Sequence, residues 1–165
     1  MPQGDHQHDH SQPTPLADRA TALREAEEGC LRRGAQLTPL RRRVLEMVLE
    51  ADQPVGAYAL LDRLRAERPG AAPPTVYRAL DFLLAQGLIH RIERLNAFIP
   101  CVEAGHGHDH EHPHQFLICR NCGRTAELSD DSVAAAVAAA ARAAGFSPIR
   151  ATVEVEGTCG DCAAA

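Results

Sequence analysis

The sequence predicts an α+β fold in two units, helices first and a small mixed α/β region after them. Three observations support this. Between residues 16 and 86, apolar residues recur at helical spacing in four separate segments. Two short strand patterns follow directly, joined around Leu95-Asn96. Beyond residue 114, strand patterns alternate with one alanine-rich helix, and a Cys-x-x-Cys turn stands near each end of that region. A chain of 165 residues, 45% hydrophobic, can build two small cores. Aromatics are only 4%, so those cores must be aliphatic.

Residues 1–13 lack any apolar period and are expected to be a disordered tail, with His6, His8 and His10 as weak metal donors at most. Leu16, Ala20, Leu23 and Ala26 share one helical face, and Cys30 near the end of that helix reads as a small buried residue. Thr38-Pro39 is a helix start, with a hydroxyl cap and then proline in the first turn. The helix turns Leu40, Val44, Leu45, Val48 and Leu49 inward. Arg41, Arg42 and Arg43 follow its start, facing either phosphates or ordinary solvent. A third helix covers Gly56 to Arg68, with Leu60, Leu61 and Leu64 inward and Asp62 and Arg65 at ion-pair spacing. A fourth runs from Pro73 to Gln86 and stops at Gly87. Val76, Ala79, Leu80, Leu83 and Leu84 form its inner face. Arg78 points the other way, flanked by Thr75 and Tyr77, and faces either solvent or base edges. Strands at Leu88–Arg94 and Ala97–Cys101 complete a winged helix-turn-helix order.

In the second half, Gln115 to Cys119 and Thr125 to Leu128 pair around a CRNCG turn. Ser129-Asp130-Asp131 caps a helix from Ser132 to Ala144, with Val133 and Val137 one turn apart. Ile149, Ala151, Val153 and Val155 alternate with Arg150, Thr152 and Glu154, the pattern of a half-buried strand. Three strands and one helix are few for independent stability, so a second copy is expected to cover them.

All seventeen cations are Arg, and they are unevenly placed. Residues 31–94 carry eleven Arg against seven acids, a net +4, although the whole chain is −5. Arg forks match phosphates and guanine edges, so the middle of the chain is the candidate nucleic-acid face. No apolar run nears the roughly 20 residues that span a bilayer, and no signal-peptide order is present, so no membrane and a cytoplasmic site are expected.

Six cysteines in a reducing compartment point to metal before disulfides. Cys119 and Cys122 with Cys159 and Cys162 make two turn-type pairs, suited to a closed tetrahedral zinc. The competing reading is thiol redox chemistry at one pair. A second set spans the two halves: His90, Cys101, His112 or His114, and Glu127. Its thiolate favours zinc over hard cations. Taken singly, these residues have local explanations, and His106, His108 and His110 form either a weaker site or a solvated loop. A zinc enzyme would need an open coordination position and an acid–base group, and no HExxH or nucleophile motif is present.

The segments LTPLRRRVL, PPTVYRALDFLLAQGLIHRIE, FLICRNCG and CGDC resemble the ferric uptake regulator superfamily, and within it the zinc-sensing branch. The resemblance covers residues 16–162. It implies no enzymatic activity but a zinc-responsive repressor: a homodimer that binds palindromic operator DNA and controls zinc uptake genes. The units it implies are a DNA-binding domain at 14–100 and a zinc-binding dimerisation domain at 101–165. Two zinc ions per subunit follow. One is structural, on Cys119, Cys122, Cys159 and Cys162; one is regulatory, on His90, Cys101, His112 and Glu127, with His114 the alternative to His112. Tyr58 and Arg78 fall where the family touches bases, with Thr75, Tyr77 and Arg41 as further DNA candidates. Cys101 separates this chain from iron and peroxide sensors of the superfamily, which are the alternative reading.

Overall fold

The computed structural model describes residues 16–101, 114–128 and 130–164. Four helices come first: α1 (Leu16–Arg32), α2 (Pro39–Leu49), α3 (Ala57–Glu67) and α4 (Pro73–Ala85). The Thr38 side chain accepts from the Arg41 amide and starts α2, with Pro39 in its first turn. Met47 is fully buried, although the apolar spacing had picked out Leu40, which is only partly buried. The reason is position: α2 touches α1, α3, α4 and the wing, so it is covered on more than one side. Cys30 is fully buried in the same core, and burial pushes its thiol up.

Helix α4 has no side-chain cap, since Ala72 stands at that position. Pro73 and Pro74 compensate, because neither brings an N–H to the first turn. Its other end closes on Gly87, at φ 65°. Leu88 donates to the Leu83 carbonyl (2.9 Å) and Gly87 to that of Leu84 (3.0 Å), the paired bonds of a Schellman motif.

The wing is β2 (Ile89–Ile92) antiparallel to β3 (Ala97–Pro100). A two-residue strand, β1 (Val55–Gly56), adds to the other edge of β3, so Gly56 belongs to the sheet and not to α3. Glu93 to Asn96 turn the wing, with Asn96 at φ 47°.

The second unit holds β4 (His114–Cys119), β5 (Thr125–Leu128), α5 (Asp131–Ala143), β6 (Thr152–Gly157) and a short α6 (Gly160–Ala163). Sheet order is β5-β4-β6, with β5 antiparallel and β6 parallel to β4. The parallel pair needs a crossover, which α5 provides. The expected strand from Ile149 begins only at Thr152, which pairs with His114 at the start of β4. Residues 149–151 have no strand opposite among the described residues, and Ile149 is 99% exposed. Helix α5 is capped by Asp130, whose carboxylate accepts from the Ser132 and Val133 amides, yet it buries only Ala134.

A large aliphatic core lies within α1–α4 and the base of the wing. A small second cluster joins the units: Ile92 packs with Phe116 and Ile118, and Ile99 against them. No helix among the described residues is long and apolar enough to cross a membrane.

Candidate metal centres

Because β4 and β6 run parallel, both Cys-x-x-Cys turns stand at the same end of the sheet. Cys119 closes β4 opposite Gly157, and Cys159 follows β6 two residues later. Cys119 donates its amide to the Arg124 carbonyl (2.8 Å), and Gly123, at φ 74°, donates to the Cys119 carbonyl (3.0 Å). A side chain at Gly123 would be strained there and would also crowd Gln53. The four sulfurs of Cys119, Cys122, Cys159 and Cys162 lie within 4.8 Å of one another. The Cys122 and Cys159 sulfurs are 3.7 Å apart. A tetrahedral zinc with sulfur bonds near 2.3 Å needs edges of about 3.8 Å, so the donor set fits zinc. The Cys159 amide points at the Cys119 sulfur (3.3 Å) and, with further amides of the turn, lowers that thiol to about 6. Cys162 is pushed up to about 12, first by its hydrogen bond to Cys159 and then by the other sulfurs. The carboxylate of Asp161 pairs with Arg124 (2.5 Å) across the two turns.

A second group crosses the boundary between the units. His90 comes from β2, His114 from the first residue of β4, and Glu127 from β5. Their donor atoms lie within 4.8 Å of one another. His90 Nε2 is 3.4 Å from Glu127 Oε1, and His114 Nδ1 is 3.8 Å from the same oxygen. Phe116, the antiparallel partner of Glu127, packs beside both imidazole rings. His90 is only 5% exposed. Two imidazoles and one carboxylate at these spacings, in a mostly buried place, suit a zinc ion. The Cys101 thiol is not in this 4.8 Å group. Its backbone continues the wing ladder by donating to Leu88 (3.0 Å), opposite the strand that carries His90. Ile99 pairs with His90, so Cys101, two residues on, belongs to the face His90 uses. His112, like His106, His108, His110 and the tail 1–13, lies outside the described residues.

Sequence reasoning missed other contacts that tie the two units. Gln53 Nε2 donates to the Cys122 carbonyl (3.2 Å). Glu154 accepts from the Glu93 and Arg94 amides. Such bonds link side chains to backbone far away in sequence, and neither end carries a motif.

On the basic face, Tyr58 is 70% and Tyr77 42% exposed, Arg78 is exposed, and Thr75 is half-buried. Arg41 lies over the Phe82 ring at 3.7 Å and donates to the Gln36 carbonyl. Arg42 pairs with Glu27 and Glu46, and Arg43 with Glu46, Glu50 and Glu67. These two cations are held in ion pairs with acids of α1, α2 and α3, whereas no ion pair of Arg78 is found among the described residues.

The family model described as "Ferric uptake regulator family" matches residues 32–156. The zinc uptake regulation protein of Escherichia coli (strain K12) is 39% identical over 140 residues, covering 85% of this chain and 80% of that protein. A crystal structure of holo XcZur is 45% identical, with 88% of this chain and 99% of that one aligned at a TM-score of 0.79. A zinc uptake regulator complexed with zinc and DNA aligns at 0.82, with 36% identity over 88% of this chain and 95% of that one. The apo form of XcZur, 43% identical over 90% of this chain and 99% of that one, aligns at only 0.51. Identity and coverage barely change between the two XcZur forms, yet the structure of this chain is more similar to the holo form than to the apo form. Two thiol turns on one sheet end, a donor group across the unit boundary and a match over most of the length agree: the chain belongs to the ferric uptake regulator family, in its zinc uptake regulator branch.

Proposed function

We propose that this chain is a zinc-responsive transcriptional repressor, acting in the cytoplasm as a zinc-loaded homodimer on palindromic operator DNA that controls zinc uptake genes. The observation that carries the reading is the convergence of His90 on the wing with His114 and Glu127 on the second sheet. Donors on two units make the relative orientation of those units depend on what the donors hold. The DNA reader is 14–100 and the zinc-binding, pairing unit is 101–165.

Each subunit takes two zinc ions. Cys119, Cys122, Cys159 and Cys162 hold the structural one, which joins the ends of β4 and β6. The regulatory one is held by His90, Cys101 and Glu127, with either His112 or His114 as the remaining ligand; the His114 ring beside Glu127 supports the second choice. Bound there, zinc supplies a fixed polar joint between wing and sheet. Fixing that joint sets the spacing of two reading helices in a dimer, which must match two half-sites. Metal and DNA then favour the same arrangement, and each strengthens binding of the other. Similarity to the holo form and to a zinc- and DNA-bound relative supports this direction. Tyr58, Thr75, Tyr77 and Arg78 face the operator. Arg41, stacked on Phe82, contributes from the edge of that face.

Protein that retains one zinc per chain but is depleted of the second is titrated with zinc, iron(II) or manganese(II), and binding is scored on the DNA it selects from a random-sequence pool. Zinc alone is expected to drive sequence-specific binding, and Cys101→Ser to abolish that response while one zinc per chain remains. Binding driven by iron or manganese in place of zinc overturns the assignment and favours the iron- or peroxide-sensing alternative.

A further inference from the structure

The wing turn is held on the second unit by carboxylates that belong to neither candidate metal group among the described residues. Glu154 and Glu156 are alternate residues of β6, so they share a face. That face is also the one of Phe116 and Ile118, their register partners on β4, which pack on Ile92 of the wing. The Glu154 carboxylate accepts from two successive amides of the turn, Glu93 (2.6 Å) and Arg94 (3.1 Å). Consecutive amides pointing at one anion form the concave nest that binds carboxylates or phosphates. Arg94 then turns its guanidinium onto Glu156, Nε to Oε1 at 2.5 Å. The turn is thus held through its backbone and through its side chain, both by one strand.

We infer that Glu154, with Glu156 beside it, is a positioning residue that latches the wing turn to the second sheet and so supports the register of the reading helix alongside the His90–Glu127 group. The amides engaged by Glu154 are the ones that a wing tip would otherwise offer to a phosphate. In this chain the turn therefore works as an attachment to the second unit. The wing enters directly from α4 through Gly87, so holding its tip constrains α4 as well. The small apolar centre of Ile92, Phe116 and Ile118 lies between this latch and the His90–Glu127 group, so the boundary is tied on both flanks. The consequence for DNA rests on the reading given under Proposed function; the latch itself does not.

Full-length zinc-loaded protein carrying Glu154→Ala is compared with the unaltered chain by amide exchange and by binding to the selected operator. Exchange at Glu93 and Arg94 is expected to rise about tenfold, with the zinc content unchanged. Operator affinity is expected to fall about tenfold. That fall opposes bulk electrostatics, since removing an acid strengthens non-specific DNA binding. Arg94→Glu and Glu156→Arg are each expected to weaken binding, and the exchanged pair to recover it, which a general loss of folding would not do. Unchanged exchange at Glu93 and Arg94 overturns the latch. Faster exchange with undiminished operator affinity overturns its positioning role. If the unaltered chain shows no zinc-dependent binding, the reading under Proposed function fails, and the exchange result alone decides the latch.

Discussion

Two arginines in this chain show how little a basic side chain says until its neighbours are known. Arg43 meets Glu46, Glu50 and Glu67, and hydrogen bonding to Glu67 both raises its own basicity and lowers that of the carboxyl. Arg78 stands exposed on the outer side of α4, between Thr75 and Tyr77. A bidentate Arg contact to a guanine edge is worth about 1–3 kcal/mol of discrimination. Arg78→Ala is therefore expected to lower affinity for the selected operator about 10- to 100-fold while affecting random DNA far less, as read by competition binding at fixed salt. Equal losses on both DNAs would make Arg78 a phosphate contact. The charge count in the sequence located the basic stretch, but it could not separate these two arginines, because the acids that hold Arg43 come from three different turns of helix.

At the scale of elements, α5 depends most on its cap. Asp130 holds the Ser132 and Val133 amides, and its carboxyl is lowered by the Ser132 hydroxyl first and the two amides after it. A lowered carboxyl contributes stability that is present above its unfolded value and is lost as pH falls through the folded one. Asp130→Ala is expected to fray the first turn of α5 at neutral pH, and acid to produce the same fraying in the unaltered chain, both visible as faster amide exchange at Ser132 and Val133. By contrast, Leu64 is a matter of packing. It is fully buried in the larger core, and Leu64→Ala is expected to cost about 2–5 kcal/mol in urea unfolding. Most elements could be read from the sequence because caps and apolar periods are local: Thr38-Pro39, Ser129-Asp130-Asp131 and the apolar period of α4 needed no distant partner. The start of β6 could not, since the alternation from Ile149 to Val155 is real but the strand opposite begins only at His114. The burial of Met47 was hidden for the same reason: coverage by several elements is not written in one helix.

For the molecule as a whole, zinc held as proposed on the four thiols would make metal loading a function of pH. Cys119, lowered to about 6, is a thiolate at neutral pH, while Cys162, pushed up to about 12, still holds its proton. Zinc entering the four-cysteine site must displace that proton, so affinity falls as pH falls, by about tenfold per pH unit for each proton released. Chelator competition between pH 6 and pH 8 is expected to show this slope; a flat profile would mean that the ligands are not these thiols. The site set was partly legible for a physical reason. Paired Cys-x-x-Cys turns fix their ligands by local geometry, whereas the group at the unit boundary depends on how two sheets meet. His90 and Glu127 could be named as candidates from the sequence, whereas the support for His114 as a ligand comes from a ring placed beside Glu127 only in three dimensions.

The Schellman closure at Gly87 has a mechanical consequence. From Leu83, the last fully buried leucine of α4, to the His90 ring the chain runs through one hydrogen-bonded corner without a slack joint. On the proposed reading, sensor and reader are therefore joined by a single hydrogen-bonded bend. A residue that loosens that corner would then leave an intact detector disconnected from its output.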